Sequence, residues 1–421
     1  MQPEKIIALR RRFHAHPEPG FLEYRTASVI LTELAAVGVR ATTGTAAIDV
    51  SRIALPPTQA EMDAWGQRAV DAGTPPDDVA YFQQHGTAIV AELAGNRPGP
   101  VWGLRVDIDA LPVDEETSDE HAPVAGGFRS TTGFMHACGH DGHAAIGVAL
   151  ADRLRDRDFP GTVRIMFQPA EEGVRGAQPM IDAGVTRGVD RMLAVHLGGD
   201  LPTGTVVGGV TDAMATTKWT ARFEGEAAHA AAAPEKGRHA LAAAAQATLA
   251  ILGLTRFAEA DTRVNVGTFH ADGSANIIPA LATITYETRS TSNAVLEDLN
   301  QRAENAVQGA ARMYGVEAST TVYGRAAMSQ PDETLLAEVA RAVDGVAAIS
   351  TFTPSGPSGG GSDDAHLLIR EVQEAGGLGT YIFVGASNPA PHHHRRFDVD
   401  EDALVIAVDL LEALFRSATV G

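Results

Sequence analysis

The sequence predicts an α/β protein: a mixed, largely parallel central sheet flanked by helices, interrupted by an inserted α+β unit of the ferredoxin-like, split-βαβ kind. Three observations carry this prediction. Short apolar runs alternate with helical patterns up to about residue 212. From about Ala215 the texture changes to alternating strands with two interleaved helices, and past residue 328 the first texture returns. Residues 1–212 and 328–421 therefore read as one discontinuous domain and residues 213–327 as a second, a division that 421 residues accommodate.

In chain order, helical periodicity covers Pro3 to His14 and Thr26 to Val37, and strand-like runs follow at Ala88 to Leu93 and Val101 to Val106. Between them, residues 52–86 are polar, Pro-containing and rich in Asp and Gln, and read as a partly helical surface insertion. A helix from Asp141 to Arg155, a strand from Val163 to Phe167, a helix near Arg175 to Ala183 and a strand from Met192 to His196 complete the first part. The inserted unit supplies strands at Thr216 to Phe223, Arg263 to Phe269 and Ala282 to Thr288, with helices at Arg238 to Leu252 and Asn293 to Met313. The last part carries a helix from Glu333 to Val343, a Gly-rich loop from Gly356 to Ser362, a strand from Tyr381 to Val384 and a closing helix from Glu401 to Phe415.

Composition narrows the function. A net charge of −20 repels phosphate backbones and anionic lipid, so nucleic-acid and membrane-surface roles are excluded, and an anionic ligand needs a local cluster of Arg, His or metal. Cys138 is the only cysteine, so no intrachain disulfide forms and a reducing compartment fits. The first twenty residues mix acid, base and Pro and lack the apolar core of a signal peptide. The most apolar stretch, Ala240 to Leu254, contains Gln246 and falls short of the ~20 residues of a membrane span. A cytoplasmic protein is expected.

The chemistry concentrates in HACGHDGH, where His136, Cys138, His140, Asp141 and His143 fall within eight residues. Imidazole and thiolate are preferred ligands of zinc-like cations, and the turn at Gly139 lets Cys138 and His140 address one ion. The run FQPAEEG ends an apolar strand with Glu171 and Glu172. Adjacent desolvated carboxylates repel, so both stay ionised only beside a cation or in solvent; one suits an ion and the other a proton acceptor. His196 closes a second apolar strand, Asp107 and Asp109 end a third in GLRVDIDALP, and His392, His393 and His394 precede Arg395 and Arg396. Each alone is as consistent with a core residue, a turn or a solvated loop. Together they fall at the ends of one sheet's strands, where open α/β sheets bind ligands.

Taken in order, RRRFHAHPEPGFLEYRTA, GLRVDIDALP, HACGHDGH, FQPAEEG, AVHLG, GEAAHAAAAPEKGRHAL, the Asn-Ile-Ile-Pro starting at Asn276, and GSDDA resemble the M20 metallopeptidase and amidohydrolase family. The nearest branch is that of aminoacylases, hippurate hydrolases and auxin-conjugate hydrolases. The insertion after Ser51, MATTKW and HHHRRFDVDED are most similar to its members acting on aroyl or indolyl-acyl conjugates of glutamate and aspartate. The resemblance implies a discontinuous catalytic domain, an inserted lid and dimerisation domain, and two divalent ions, zinc or manganese. Cys138, His140, Glu172, His196 and His393 are the implied ligands, with His393 chosen four residues before Phe397 and His392 and His394 left open. Glu171 is the implied general base and Asp109 the carboxylate that orients the site. Asp107 stands where other branches place a His ligand and is not assigned as one. His229 is implied to stabilise the oxyanion, often in the partner subunit's site, and Asn276 and Arg289 to receive the substrate carboxylate. Lys218 reads as a solvated strand residue. The expected reaction is hydrolysis of an N-acyl or N-aroyl amino acid, with an aminoacylase or dipeptidase of broader specificity as the alternative. The expected partner is a second copy, or a related second chain without which this one is inert. Readings from other classes are a thiol hydrolase, with Cys138 as nucleophile and His140 or His143 as base, and a non-catalytic binding protein.

Overall fold

The computed structural model describes residues 1–357 and 361–418. The chain runs through α1 (Pro3–His14), α2 (Tyr24–Ala36), β1 (Ala41–Thr42), α3 (Gln59–Asp71), α4 (Pro76–His85), β2 (Ile89–Ala94), β3 (Arg97–Asp107), α5 (Ala122–Ala125), α6 (His140–Arg153), β4 (Pro160–Gln168), α7 (Ala177–Ala183), β5 (Arg191–Leu197) and β6 (Thr205–Val207). It continues through β7 (Ala215–Glu224), β8 (Ala228–His229), α8 (Ala240–Leu252), β9 (Thr262–Ala271), β10 (Ile277–Ile278), β11 (Leu281–Ser290), α9 (Asn293–Tyr314) and β12 (Glu317–Ala326). It closes with α10 (Glu333–Val343), β13 (Thr351–Thr353), α11 (Ala365–Glu374), β14 (Leu378–Val384) and α12 (Asp402–Arg416). Two compact units result, one from Met1–Asp212 with the chain from Ser329 onward, the other Ala213–Met328.

The larger unit holds an eight-stranded sheet in the order β1-β2-β4-β3-β5-β14-β6-β13. Its centre, β4-β3-β5-β14, is parallel, while β1, β2 and β6 join antiparallel to their inner neighbours. Parallel strands buried on both faces read as near-continuous apolar runs, as Met192 to Val195 and Ile165 to Phe167 do. The four central strands end, at their carboxyl sides, in Asp107, Gln168, Leu197 and Val384. Helix α6 packs against the sheet through small residues. A Cβ on Gly147 would meet Phe167 Cε1 at 2.7 Å and Val106 Cγ2 at 3.0 Å, so this position needs glycine for the approach, and one on Gly142 would push aside the tip of Leu197, 2.6 Å away. The start of α6 is pinned through buried Arg10 of α1, whose Nε lies 2.7 Å from Asp141 Oδ2, Nη2 2.6 Å from Asp398 Oδ1 and Nη1 3.3 Å from Glu401 Oε1.

The smaller unit orders its sheet β12-β7-β11-β9, all antiparallel, with α8 and α9 between strands, which is the split-βαβ arrangement expected. Its fourth strand, β12, completes that arrangement over residues with no strand range expected from the sequence, although Glu317–Ala326 alternates in burial. Helix α11 is an addition to the expected elements, an amphipathic segment that buries Leu368, Ile369 and Val372. The expected Gly-rich loop from Gly356 to Ser362 lies partly outside the described residues. The stretch expected as a surface insertion is a pair of helices, α3 and α4, that sends Trp65, Ala69, Val79 and Phe82 into the main core. Trp65 meets Phe134 edge to face, ring centroids 5.1 Å apart. Arg10→Met leaves Asp398 without its buried cation and Asp141 with His14 alone, and unfolding in denaturant should register a loss of about 3–5 kcal/mol; an unchanged midpoint would show that the network does not hold α1 to α6.

Candidate metal centre at the carboxyl ends of the parallel strands

Gly139 caps α6 with φ +90°, a left-handed conformation that suits glycine. It separates Cys138, still in the loop, from His140, the first residue of the helix. His140 Nδ1 donates to the Asp109 carbonyl at 2.9 Å, which leaves Nε2 as the free lone pair. That Nε2 is buried without a hydrogen bond. It stands 3.6 Å from Asp107 Oδ2, 3.8 Å from Glu171 Oε2 and 4.0 Å from Glu172 Oε1. Ligands on one tetrahedral ion with bonds of ~2.0–2.2 Å sit about 3.5 Å apart, so an imidazole facing carboxylates at these spacings fits a shared cation.

His196, at the end of β5, is set the same way. Its Nδ1 donates to Leu197 O at 2.8 Å and its Nε2 lies 3.6 Å from Cys138 Sγ. His392 Nε2 accepts the Gly199 N–H at 3.2 Å, so the neutral ring carries its proton on Nδ1, which lies 3.5 Å from the same sulfur and would bind an ion only if that Gly199 bond were given up. Two groups whose ligand atoms lie within 4.8 Å of one another thus share the thiol: Cys138, His140 and Glu172, and Cys138, His196 and His392. A third group of His140, His143 and His196 has that spacing, but His143 is spent, since Nδ1 donates to Asp107 Oδ1 at 2.5 Å and Nε2 accepts the Leu197 N–H at 2.9 Å.

The histidine triplet divides. His393, the expected ligand, takes φ +65°, is 56% exposed in its side chain and places Nε2 3.6 Å from Glu172 Oε1. His392 is the member gathered with Cys138 and His196. His394 Nδ1 accepts the Arg396 N–H within the turn. Burial pushes His392 down to about 4, which keeps it neutral.

The two carboxylate oxygens of Asp109 accept the N–H groups of Glu171 and Glu172, each at 3.0 Å. Behind it lies buried Arg105, which the sequence motifs do not single out and which donates to Gln168, Asp107, Asp363 and Asp364. An Arg inside an apolar strand is the signal that could have found it. Glu171 is buried, and that burial, with Asp363 and Glu172 nearby, raises it well above the usual carboxylate range. Burial, with Glu172 beside it, likewise pushes the Cys138 thiol far up. A thiol held that way is a poor nucleophile in the absence of a cation, which weighs against the thiol-hydrolase reading. Asp107, Asp109, Glu171, Glu172, Asp363 and Asp364 converge here against the Arg105 guanidinium, a buried negative excess that favours cations.

His229, Asn276 and Arg289 belong to the smaller unit. His229 on β8 pairs with Ile277 of β10, next to Asn276, and Ser274 Oγ donates to Asn276 Oδ1. Arg289 on β11 holds Glu287 through Nε at 2.9 Å and Nη2 at 3.0 Å, and Lys218 faces Glu287 across the β7–β11 ladder.

Parallel strands that deliver imidazole, thiol and carboxylate groups to one buried point define a metallohydrolase. The chain belongs to peptidase family M20/M25/M40, whose sequence profile residues 103–417 match. It is 42% identical over 411 residues to a p-aminobenzoyl-glutamate hydrolase subunit of Escherichia coli (strain K12), covering 97% of this chain and 94% of that protein. It is also 42% identical over 411 residues to indole-3-acetyl-aspartic acid hydrolase of Enterobacter agglomerans, covering 96% and 93%. The crystal structure of an aminobenzoyl-glutamate utilization protein from Klebsiella pneumoniae superposes with a TM-score of 0.83 at 33% identity, covering 98% of this chain and 95% of that one. No helix among the described residues is long and apolar enough to cross a membrane.

The raised thiol has a direct readout. In metal-free protein near pH 8, Cys138 should alkylate at least about tenfold more slowly than in denaturant; equal rates by mass spectrometry would overturn the burial argument.

Proposed function

We propose that the protein hydrolyses the amide bond of N-acyl or N-aroyl amino acids with an acidic side chain, of the p-aminobenzoyl-glutamate or indole-acetyl-aspartate type, using two divalent ions. The observation that carries this is Cys138 at the junction of two three-residue ligand groups, with buried Glu171 beside them. Cys138, His140, Glu172 and His196, with one histidine of the 392–394 triplet, would hold the ions. His393 keeps the sequence spacing and places Nε2 3.6 Å from Glu172 Oε1, while His392 places Nδ1 3.5 Å from the sulfur. Soft sulfur and imidazole suit zinc, with manganese the other ion the resemblance implies. Bound cations of this kind supply Lewis acidity, polarising a carbonyl and making water more acidic.

The chain's own residues do the rest. Glu171, held among carboxylates and away from solvent, accepts the proton of the attacking water and returns it to the leaving nitrogen. Asp109 keeps Glu171 and Glu172 facing inward through their backbone N–H groups. His229 is proposed to stabilise the oxyanion, and Asn276 and Arg289 to receive the substrate carboxylate, Arg289 by a planar fork now occupied by Glu287. The two relatives at 42% identity, both named for conjugates of acidic amino acids, support this substrate class.

A second copy is the proposed partner, through the smaller unit. There β9 is an edge strand with Phe269 44% exposed, and α8 leaves Leu249 68% exposed. Sedimentation equilibrium should report a dimer at micromolar concentration, and a monomer there would remove that partner.

The activity is tested by offering hippurate, p-aminobenzoyl-glutamate, indole-acetyl-aspartate and simple dipeptides while ion content is measured on the same sample. Cleavage of the acidic conjugates, lost on chelation and restored by zinc or manganese, is expected. Glu171→Gln should lower kcat by ~10²- to 10⁴-fold with ion content unchanged; a Gln variant that turned over like the parent would remove Glu171 from its role.

A further inference from the structure

The turn that presents Glu171 and Glu172 is an unusual piece of backbone. Ala170 has φ +53° and Val174 φ +56°, left-handed conformations that side chains of L-residues disfavour, with Gly173 at +102° between them. Such a turn persists only where its surroundings over-determine it. Two sets of contacts hold its middle and its end: Asp109 takes the N–H groups of Glu171 and Glu172, and Asp364 Oδ2 takes those of Gly176 and Ala177, each at 2.9 Å. Neither touches the strained residue that begins the turn.

That residue is held by a glutamate from the other end of the chain. Glu23, fully buried, accepts the Ala170 N–H on Oε1 at 3.0 Å. The same oxygen accepts the N–H of Phe21 at 3.0 Å, and Phe21 is itself left-handed at φ +67°. Oε2 accepts the Thr87 hydroxyl at 2.5 Å. One carboxylate thus fastens two strained residues, one on each of two segments, to the approach to β2. The segments also touch where no side chain fits, since a Cβ on Gly20 would lie 2.7 Å from Ala170 Cβ. We propose that Glu23 is a positioning residue for the reaction: by clamping Ala170 against Phe21 it sets the turn that aims Glu171 and Glu172 into the site.

The inference rests on the role proposed above for Glu171, but its test includes a readout that needs no substrate. Glu23→Ala removes the clamp. Glu23→Gln preserves it, because the amide oxygen keeps both N–H bonds and the amide nitrogen donates to a Thr87 hydroxyl turned to accept. Glu23→Ala should lower kcat about 10²-fold through misplacement of Glu171, with KM within a few-fold of the parent. Hydrogen exchange should accelerate at the amides of residues 170 to 174 and stay unchanged in the central strands. Glu23→Gln should restore slow exchange and most of kcat. The idea is overturned if Glu23→Ala leaves exchange at the turn unaltered, or if both variants raise exchange throughout the larger unit together, the mark of a merely structural residue. If the parent protein cleaves none of the amides, the proposed function falls while the exchange comparison still decides the clamp.

Discussion

Negative charge buried at the carboxyl ends of the parallel strands is the condition to which the rest of the larger unit answers. Asp107, Asp109 and Asp364 are essentially inaccessible, and Glu171 is nearly so. Carboxylates taken out of water stay ionised only against cations or a dense set of N–H donors. The protein supplies both, which holds Asp107 well below the usual carboxylate range, while burial and neighbouring carboxylates keep Glu171 and Asp364 raised. Arg105 is surrounded by Asp107, Asp363 and Asp364 on the inner side. Backbone N–H groups of the 170–177 turn are shared among Asp109, Glu23 and Asp364. What these donors leave uncompensated lies around Cys138 and the free nitrogen of His140, the location of the two ligand groups.

The orientation of the candidate ligands His140 and His196 follows from backbone carbonyls rather than from other side chains. His140 is turned by the carbonyl of Asp109 and His196 by that of Leu197. Asp109, two residues beyond β3, therefore acts twice, its carboxylate accepting from the acidic turn and its carbonyl from an imidazole. His143 couples the neighbouring strand ends, bonded on one side to Asp107 and on the other to the Leu197 N–H. Rigid strand ends supply this precision better than loops would.

Much of this is legible in the sequence, for identifiable reasons. Strands buried on both faces leave apolar runs that no surface element imitates, so β3, β4 and β5 are recognisable to within a few residues. The HACGHDGH cluster is legible because ligand-type residues rarely gather so densely without a metal. The histidine triplet is less so, because three adjacent imidazoles look alike until the backbone separates them; His393 faces Glu172 and His392 lies beside the sulfur. Glu23 lies inside the N-terminal motif RRRFHAHPEPGFLEYRTA, but nothing in the motif gives it a role, since beyond neighbouring Phe21 its partners are the distant Ala170 and Thr87. The core anchors of α3 and α4 are diluted among Asp and Gln, so a segment that is polar on average conceals four side chains of the hydrophobic core.

The contact between Trp65 and Phe134 ties that helical pair to the loop that leads into His136 and Cys138. The pair is therefore not an ornament that could be trimmed or exchanged at will among relatives. A chimera that imported a different hairpin without a matching aromatic at position 134 would unseat the approach to the thiol. Change in this corner of the molecule has to proceed by coordinated replacement, hairpin and loop together.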